Sequence, residues 1–126
     1  MYRDLIGKKF KYDGRGPDTF DCYGLCIEIY KRLGRELPEF ISARNPKGID
    51  ITVNENMGLF ERLKKPEPFC LVTLSVYKPY VSHIGVVLED CTRFINIIQK
   101  RHVCIEYLNS ERWKNRIDGY WKYAKN

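Results

Sequence analysis

Cys22, His83 and Asn96 are the residues of this 126-residue chain whose types and surroundings could do chemistry together. A thiol attacks only as its thiolate, so it needs a lowered pKa or a neighbouring base. Cys22 opens a stretch in which Cys22, Leu25, Cys26, Ile29 and Leu33 recur at spacings of three and four, the period of one helical stripe. Asp21 before it is a natural N-cap. The thiol is therefore expected at a helix N-terminus, where unpaired amides and the positive end of the dipole favour a thiolate and could bind an oxyanion. The opposing reading is a buried small hydrophobe, and position alone leaves both open. Cys26, one turn further in, reads as core, and Cys70, Cys91 and Cys104 have no helix-end activation.

A base must come from one of two histidines. His83 starts the apolar run His83-Ile84-Gly85-Val86-Val87, and Gly85 on its alternate-residue face is expected to leave room for a substrate or a packed helix end. His102 follows Lys100 and Arg101 and reads as solvated. Asn96 sits inside Phe94-Ile95-Asn96-Ile97-Ile98, where a buried amide demands a partner. If the two strands pair across the turn from Glu89 to Thr92, Asn96 reaches His83 and orients the ring. A structural amide bonded to backbone is the alternative.

The elements that must position these groups follow from the pattern. Gly7 to Phe20 reads as an irregular or extended lead-in with a turn around Gly14-Arg15-Gly16-Pro17, and Gly34 stops the first helix after Lys31 and Arg32. Arg35 to Ile51 is expected to be a surface loop, and a second helix is expected over Val53 to Lys64, capped by Thr52 and ended by Pro66 and Pro68. Phe69 to Tyr77, Ser82 to Leu88, Arg93 to Ile98 and His102 to Leu108 read as a meander, with a helical turn and a last strand in Ser110 to Tyr123. Helices first and an antiparallel sheet of about five strands after them is the α+β pattern. The length suits one domain over residues 1–126.

Composition narrows the class. With 44% hydrophobic and 30% charged residues the chain is expected to fold. No run is long and apolar enough for a membrane span, and the first residues lack a signal peptide's apolar core, so synthesis in the cytoplasm and no membrane role are expected. The net charge of +6 favours an anionic partner such as nucleic acid, an acidic membrane or a cell-wall polymer without choosing among them, but the Lys and Arg residues form no dense run and no nucleic-acid motif accompanies them. Five cysteines are an odd number, which argues against a disulfide framework. His102-Val103-Cys104 invites zinc, yet no paired Cys-x-x-Cys exists, and no metal is expected.

Phe20-Asp21-Cys22-Tyr23-Gly24-Leu25, then His83-Ile84-Gly85, then Phe94-Ile95-Asn96, in that order, resemble the NlpC/P60 family of cysteine peptidases. Phe10-Lys11-Tyr12-Asp13-Gly14 stands where that family has an aromatic, glycine-ended segment, and Gly34-Arg35-Glu36-Leu37-Pro38 ends the helix as family members often do. The resemblance implies a papain-like core with Cys22 as nucleophile, His83 as base, Asn96 as orienting residue, and no metal or organic cofactor. It implies a peptidoglycan stem peptide as substrate, met by Tyr12, Asp21 and Tyr23. An ungapped match puts Phe10 where the family has a tyrosine near the oxyanion, which leaves Tyr12 as the nearby hydroxyl. Tyr23 replaces a serine that recognises a free amino end, and Glu67-Pro68-Phe69-Cys70 replaces a usual Gly-Asp pair. Tyr23 and the ending Gly119-Tyr120-Trp121 look most like a phage and prophage tail branch, which implies a place in the virion tail and tail proteins as partners. A non-catalytic tail module and a different amidase or acyltransferase on the same core are the competing readings.

Overall fold

In the computed structural model, which describes residues 1–40 and 43–125, two α-helices and eight β-strands form an α+β fold. Strands β1 (Lys9–Phe10) and β2 (Thr19–Phe20) make a small parallel pair in the lead-in. Helix α1 (Cys22–Arg32) follows the expected stripe. Asp21 caps it by accepting from the Gly24 N–H at 2.6 Å, and Lys31 and Arg32 lie at the negative end of the dipole. Its other end closes with bonds from Gly34 N–H to the Lys31 carbonyl (3.0 Å) and from Arg35 N–H to the Tyr30 carbonyl (2.9 Å), a Schellman pair. Leu25, Cys26 and Ile29 are fully buried in the core. Burial of the Leu and Ile side chains contributes about 1.5–3 kcal/mol each, so packing of this stripe outweighs the caps in holding α1 in place.

The second helix departs from the expectation. Helix α2 spans Pro46–Asn56, not Val53 to Lys64. Its cap is Asn45, whose side chain accepts from Gly48 N–H at 2.8 Å, whereas Thr52 lies inside the helix and donates to the Gly48 carbonyl at 3.2 Å. Pro46 starts the helix because the N–H it lacks would be unpaired in the first turn anyway. The expected loop from Arg35 to Ile51 thus ends at Asn45, and Ile41 and Ser42 within it lie outside the described residues.

After a 3-10 turn, Phe60–Leu63 is strand β3 rather than helix, which gives the sheet six strands. The others are β4 (Leu71–Leu74), β5 (His83–Val87), β6 (Arg93–Asn96), β7 (Cys104–Tyr107) and β8 (Ile117–Tyr123), in the order β3-β8-β4-β5-β6-β7. The expected meander is β4 to β7, antiparallel throughout. The tail returns through turns around Trp113 so that β8 enters between β3 and β4. Alternation then divides the core. Leu71, Val86 and Ile95 face the cluster around α1, while Val72, Leu74, Val87 and Phe94 face a second cluster closed by Leu108 and Trp113.

Candidate active site

Cys22 is the first residue of α1, and the turn that presents it is braced from the lead-in. The Gly14 carbonyl accepts from Asp21 N–H at 3.2 Å, and a Cβ on Gly24 would lie 2.0 Å from that same oxygen. Only glycine at position 24 lets the loop lie on the first turn. Arg15 fastens the arrangement by donating to Asp21 Oδ1 (2.8 Å), to the Gly14 carbonyl (3.0 Å) and to Glu39 Oε1 (3.0 Å). Asp21 Oδ1 is therefore shared between the helix cap and Arg15, a partner not foreseen from the sequence.

His83 begins β5 and Asn96 ends β6, and the hairpin register sets Val86 opposite Ile95 and Val87 opposite Phe94. His83 and Asn96 then share a face on a diagonal, and His83 Nε2 meets Asn96 Oδ1 at 2.8 Å. Both are buried, His83 to 5% exposure and Asn96 completely. Gly85 does not leave open space, contrary to the expectation. A Cβ there would stand 2.9 Å from the Ile95 carbonyl oxygen, 2.9 Å from a ring carbon of Phe94 and 3.2 Å from Asn96 Cβ, so the missing side chain is what lets this stretch of β6 pack so closely. Trp113 covers the imidazole, stacked at 5.5 Å between centroids and 16° between planes.

Burial and the Asp21 carboxylate push the Cys22 thiol up to about 12, although the backbone N–H groups of Ile84, Tyr23 and Cys22 pull the other way. The expected helix-end activation is outweighed by desolvation. One of those amides belongs to the residue after His83, which sets the sulfur beside the start of β5. Burial likewise pushes His83 down to about 4, against the raising effects of the Asn96 bond and Glu106. Both groups rest uncharged at neutral pH.

This has a consequence for acid stability. The folded His83 value lies below the ordinary 6.5, so the unfolded chain binds the proton first and stability falls as pH drops from about 6.5 through about 4. The shift corresponds to about 3 kcal/mol. Urea unfolding of the wild type between pH 7 and pH 4 is expected to show that much more acid loss than His83→Gln. Equal losses in the two proteins would disprove the coupling.

Cys22, Ser82 and His83 line two adjoining cavities. One, of about 250 Å³, is rimmed by Phe10, Tyr12, Asp13, Arg44, Gln99 and Lys100. The other, of about 80 Å³, is walled almost wholly by carbon from residues including Tyr23, Phe40, Met57, Phe60 and Trp121. Tyr12 packs edge-on against Phe10 at 5.1 Å and carries the Arg44 guanidinium 4.6 Å above its ring. The Tyr23 hydroxyl donates to the Pro38 carbonyl, so its ring is what reaches the apolar cavity. The structure thus gathers Cys22, His83 and Asn96 with Tyr12, and gives the polar ends of Asp21 and Tyr23 to structural bonds. Trp113, Glu106 and Arg112, which sit behind His83 and Asn96, were not legible in the sequence.

Among solved structures the fold is similar to a lipoprotein-like NLP/P60 family protein from Staphylococcus aureus subsp. aureus Mu50, with TM-score 0.68 and 22% identity over 98% of this chain and 39% of that one. It is similar to an NlpC/P60 family protein from Bacillus cereus ATCC 10987, with TM-score 0.68 and 21% identity over 96% of this chain and 37% of that one. A third likeness is the NlpC/p60 domain of the peptidoglycan hydrolase SagA, with TM-score 0.62 and 16% identity over 94% of this chain and 89% of that domain. The chain spans under two fifths of the first two structures. No curated protein matches it. The family model described as "NlpC/P60 family" matches residues 7–122, nearly the whole chain, and the chain belongs to that family.

Proposed function

We propose that the chain is a cysteine peptidase or amidase that cleaves an amide in the stem peptide of bacterial peptidoglycan. The observation that carries this reading is that the Cys22 thiol at the head of α1 and the Asn96-bound His83 line the same cleft. With Nε2 engaged by Asn96, Nδ1 is the ring nitrogen left for the thiol. It takes the thiol proton as sulfur adds to the amide carbonyl, and the Cys22 backbone N–H at the helix end receives the oxyanion. The imidazolium then protonates the departing amine as the C–N bond breaks, leaving a thioester. Water, deprotonated by the same nitrogen, hydrolyses it.

The cell-wall substrate is supported by the family, by the likeness to the peptidoglycan hydrolase SagA and by the net charge of +6 against an anionic polymer. Tyr12, Arg44 and Lys100 along the larger cavity suit a peptide bearing carboxylates. Asp21 and Tyr23 serve this substrate indirectly, by fixing the helix start and by presenting a ring. No observation favours a place in a virion tail. The peptidase reading is tested by incubating the protein with purified peptidoglycan and measuring new amino termini and soluble peptides. Release that iodoacetamide stops is the expected result; no release, or release untouched by the alkylated Cys22, would sink the proposal.

A further inference from the structure

We infer that Glu106 is a positioning residue that sets the tautomer of His83 through Asn96. This rests on the reading of His83 as the base. His83, Asn96 and Glu106 form a row across three neighbouring strands, because β6 and β7 pair Phe94 with Glu106 and Asn96 with Cys104. In that row Asn96 Nδ2 donates to Glu106 Oε2 at 3.0 Å while Asn96 Oδ1 faces His83 Nε2 at 2.8 Å.

A side-chain amide can present either end to a neighbour, and something must choose. A carboxylate has no hydrogen to give, so it can face only Nδ2. Oδ1 is then turned to the imidazole, and since that oxygen only accepts, the ring proton must sit on Nε2. Nδ1 is left with the lone pair that the thiol proton needs. The Cys104 carbonyl acts in the same sense on Nδ2, but from 3.4 Å, and Cys104 Sγ lies at 4.0 Å.

Glu106 is itself held. Its side chain is 20% exposed, its Oε1 stands 3.6 Å from the Arg112 guanidinium, and that guanidinium lies 5.1 Å over the ring of Trp113. Trp113 stacks on His83, so the chain of contacts returns to the imidazole. A carboxylate placed only for solubility would need neither the amide nor the tryptophan-backed arginine.

The tautomer is read directly from nitrogen-15 shifts of His83 in the full chain with Cys22→Ala, which requires no turnover. The parent is expected to carry the proton on Nε2. Glu106→Gln can still accept through its oxygen and is expected to keep that tautomer and most of the activity. Glu106→Lys only donates, so it draws Asn96 Oδ1 toward itself, turns Nδ2 to the ring and moves the proton to Nδ1. In the Cys22-containing enzyme that change is expected to lower kcat on the order of 10³- to 10⁴-fold with KM little altered, as wrong-tautomer variants of a serine triad do. Glu106→Met, which adds no charge, is expected to show both tautomers and serves if the lysine variant does not fold. An unchanged Nε2–H tautomer in the lysine variant, or in the methionine variant if lysine does not fold, overturns the inference. A tautomer that shifts as expected while the Cys22-containing enzyme cleaves nothing overturns the peptidase reading alone.

Discussion

Cys22→Ala is expected to abolish release of peptides from purified peptidoglycan while leaving the fold intact. Loss of the nucleophile in a comparable hydrolase triad costs on the order of 10⁶ in kcat, because the remaining residues act as a unit and cannot substitute for it. The structural cost is small by comparison. Cys22 packs at the edge of the α1 cluster, its side chain loses one sulfur atom, and neither the Asp21 cap nor the Gly14 contact uses the Cys22 side chain, so alanine retains both. A stability change of about 1 kcal/mol is expected. Cys91→Ala, whose thiol lies outside both cavities, serves as the control and should cleave normally. Fragment release by Cys22→Ala at the wild-type rate would remove the thiol from the mechanism.

The parts of the fold that were legible are those in which one period dominates. The stripe from Cys22 to Leu33 specifies α1 because its apolar spacing, its cap and its glycine stop agree. The β5 to β6 hairpin was legible because two apolar runs flank a short polar turn, and it predicted the approach of Asn96 to His83. The position of the second helix is not legible because Pro46 reads as a loop residue, when a proline after Asn45 is equally a helix start. Phe60-Glu61-Arg62-Leu63 has helix-forming charges, yet it pairs along β8 from Phe60 opposite Tyr123 to Leu63 opposite Tyr120. Tertiary pairing with a strand almost sixty residues later overrides local preference there.

The surroundings of the site were hidden for a different reason. Arg15, Glu106 and Arg112 are ordinary surface charges in sequence and acquire roles only through register and loop docking. Glu106 meets Asn96 because β7 pairs Asn96 with Cys104, two residues away, and a one-residue slip would send it to the other face. The electrostatics were also hidden. A helix N-terminus predicts a lowered thiol pKa, but how deeply the thiol is buried is set by packing, and here burial wins.

That burial makes the second large effect calculable. With the thiol up at about 12, the thiolate at pH 7 is about one part in 10⁵ of the Cys22 population. On the proposed mechanism, attack at a useful rate therefore requires removal of the proton during the reaction, and His83 would be the group that does it. His83→Ala is expected to lose on the order of 10⁴ to 10⁵ in kcat/KM at neutral pH, provided that melting shows a folded protein. The shape of the pH profile separates this cause from mere disturbance of the cleft. Wild-type kcat/KM should be flat above the His83 value of about 4, since the neutral imidazole is already the active form. In the variant only the pre-formed thiolate reacts, so kcat/KM should climb about tenfold per pH unit from neutral into the alkaline range. A cleft damaged by loss of the ring and of its stack on Trp113 would lower the whole profile without tilting it. A flat profile in His83→Ala would thus assign the proton transfer elsewhere, and with it the purpose of the row from His83 through Asn96 to Glu106.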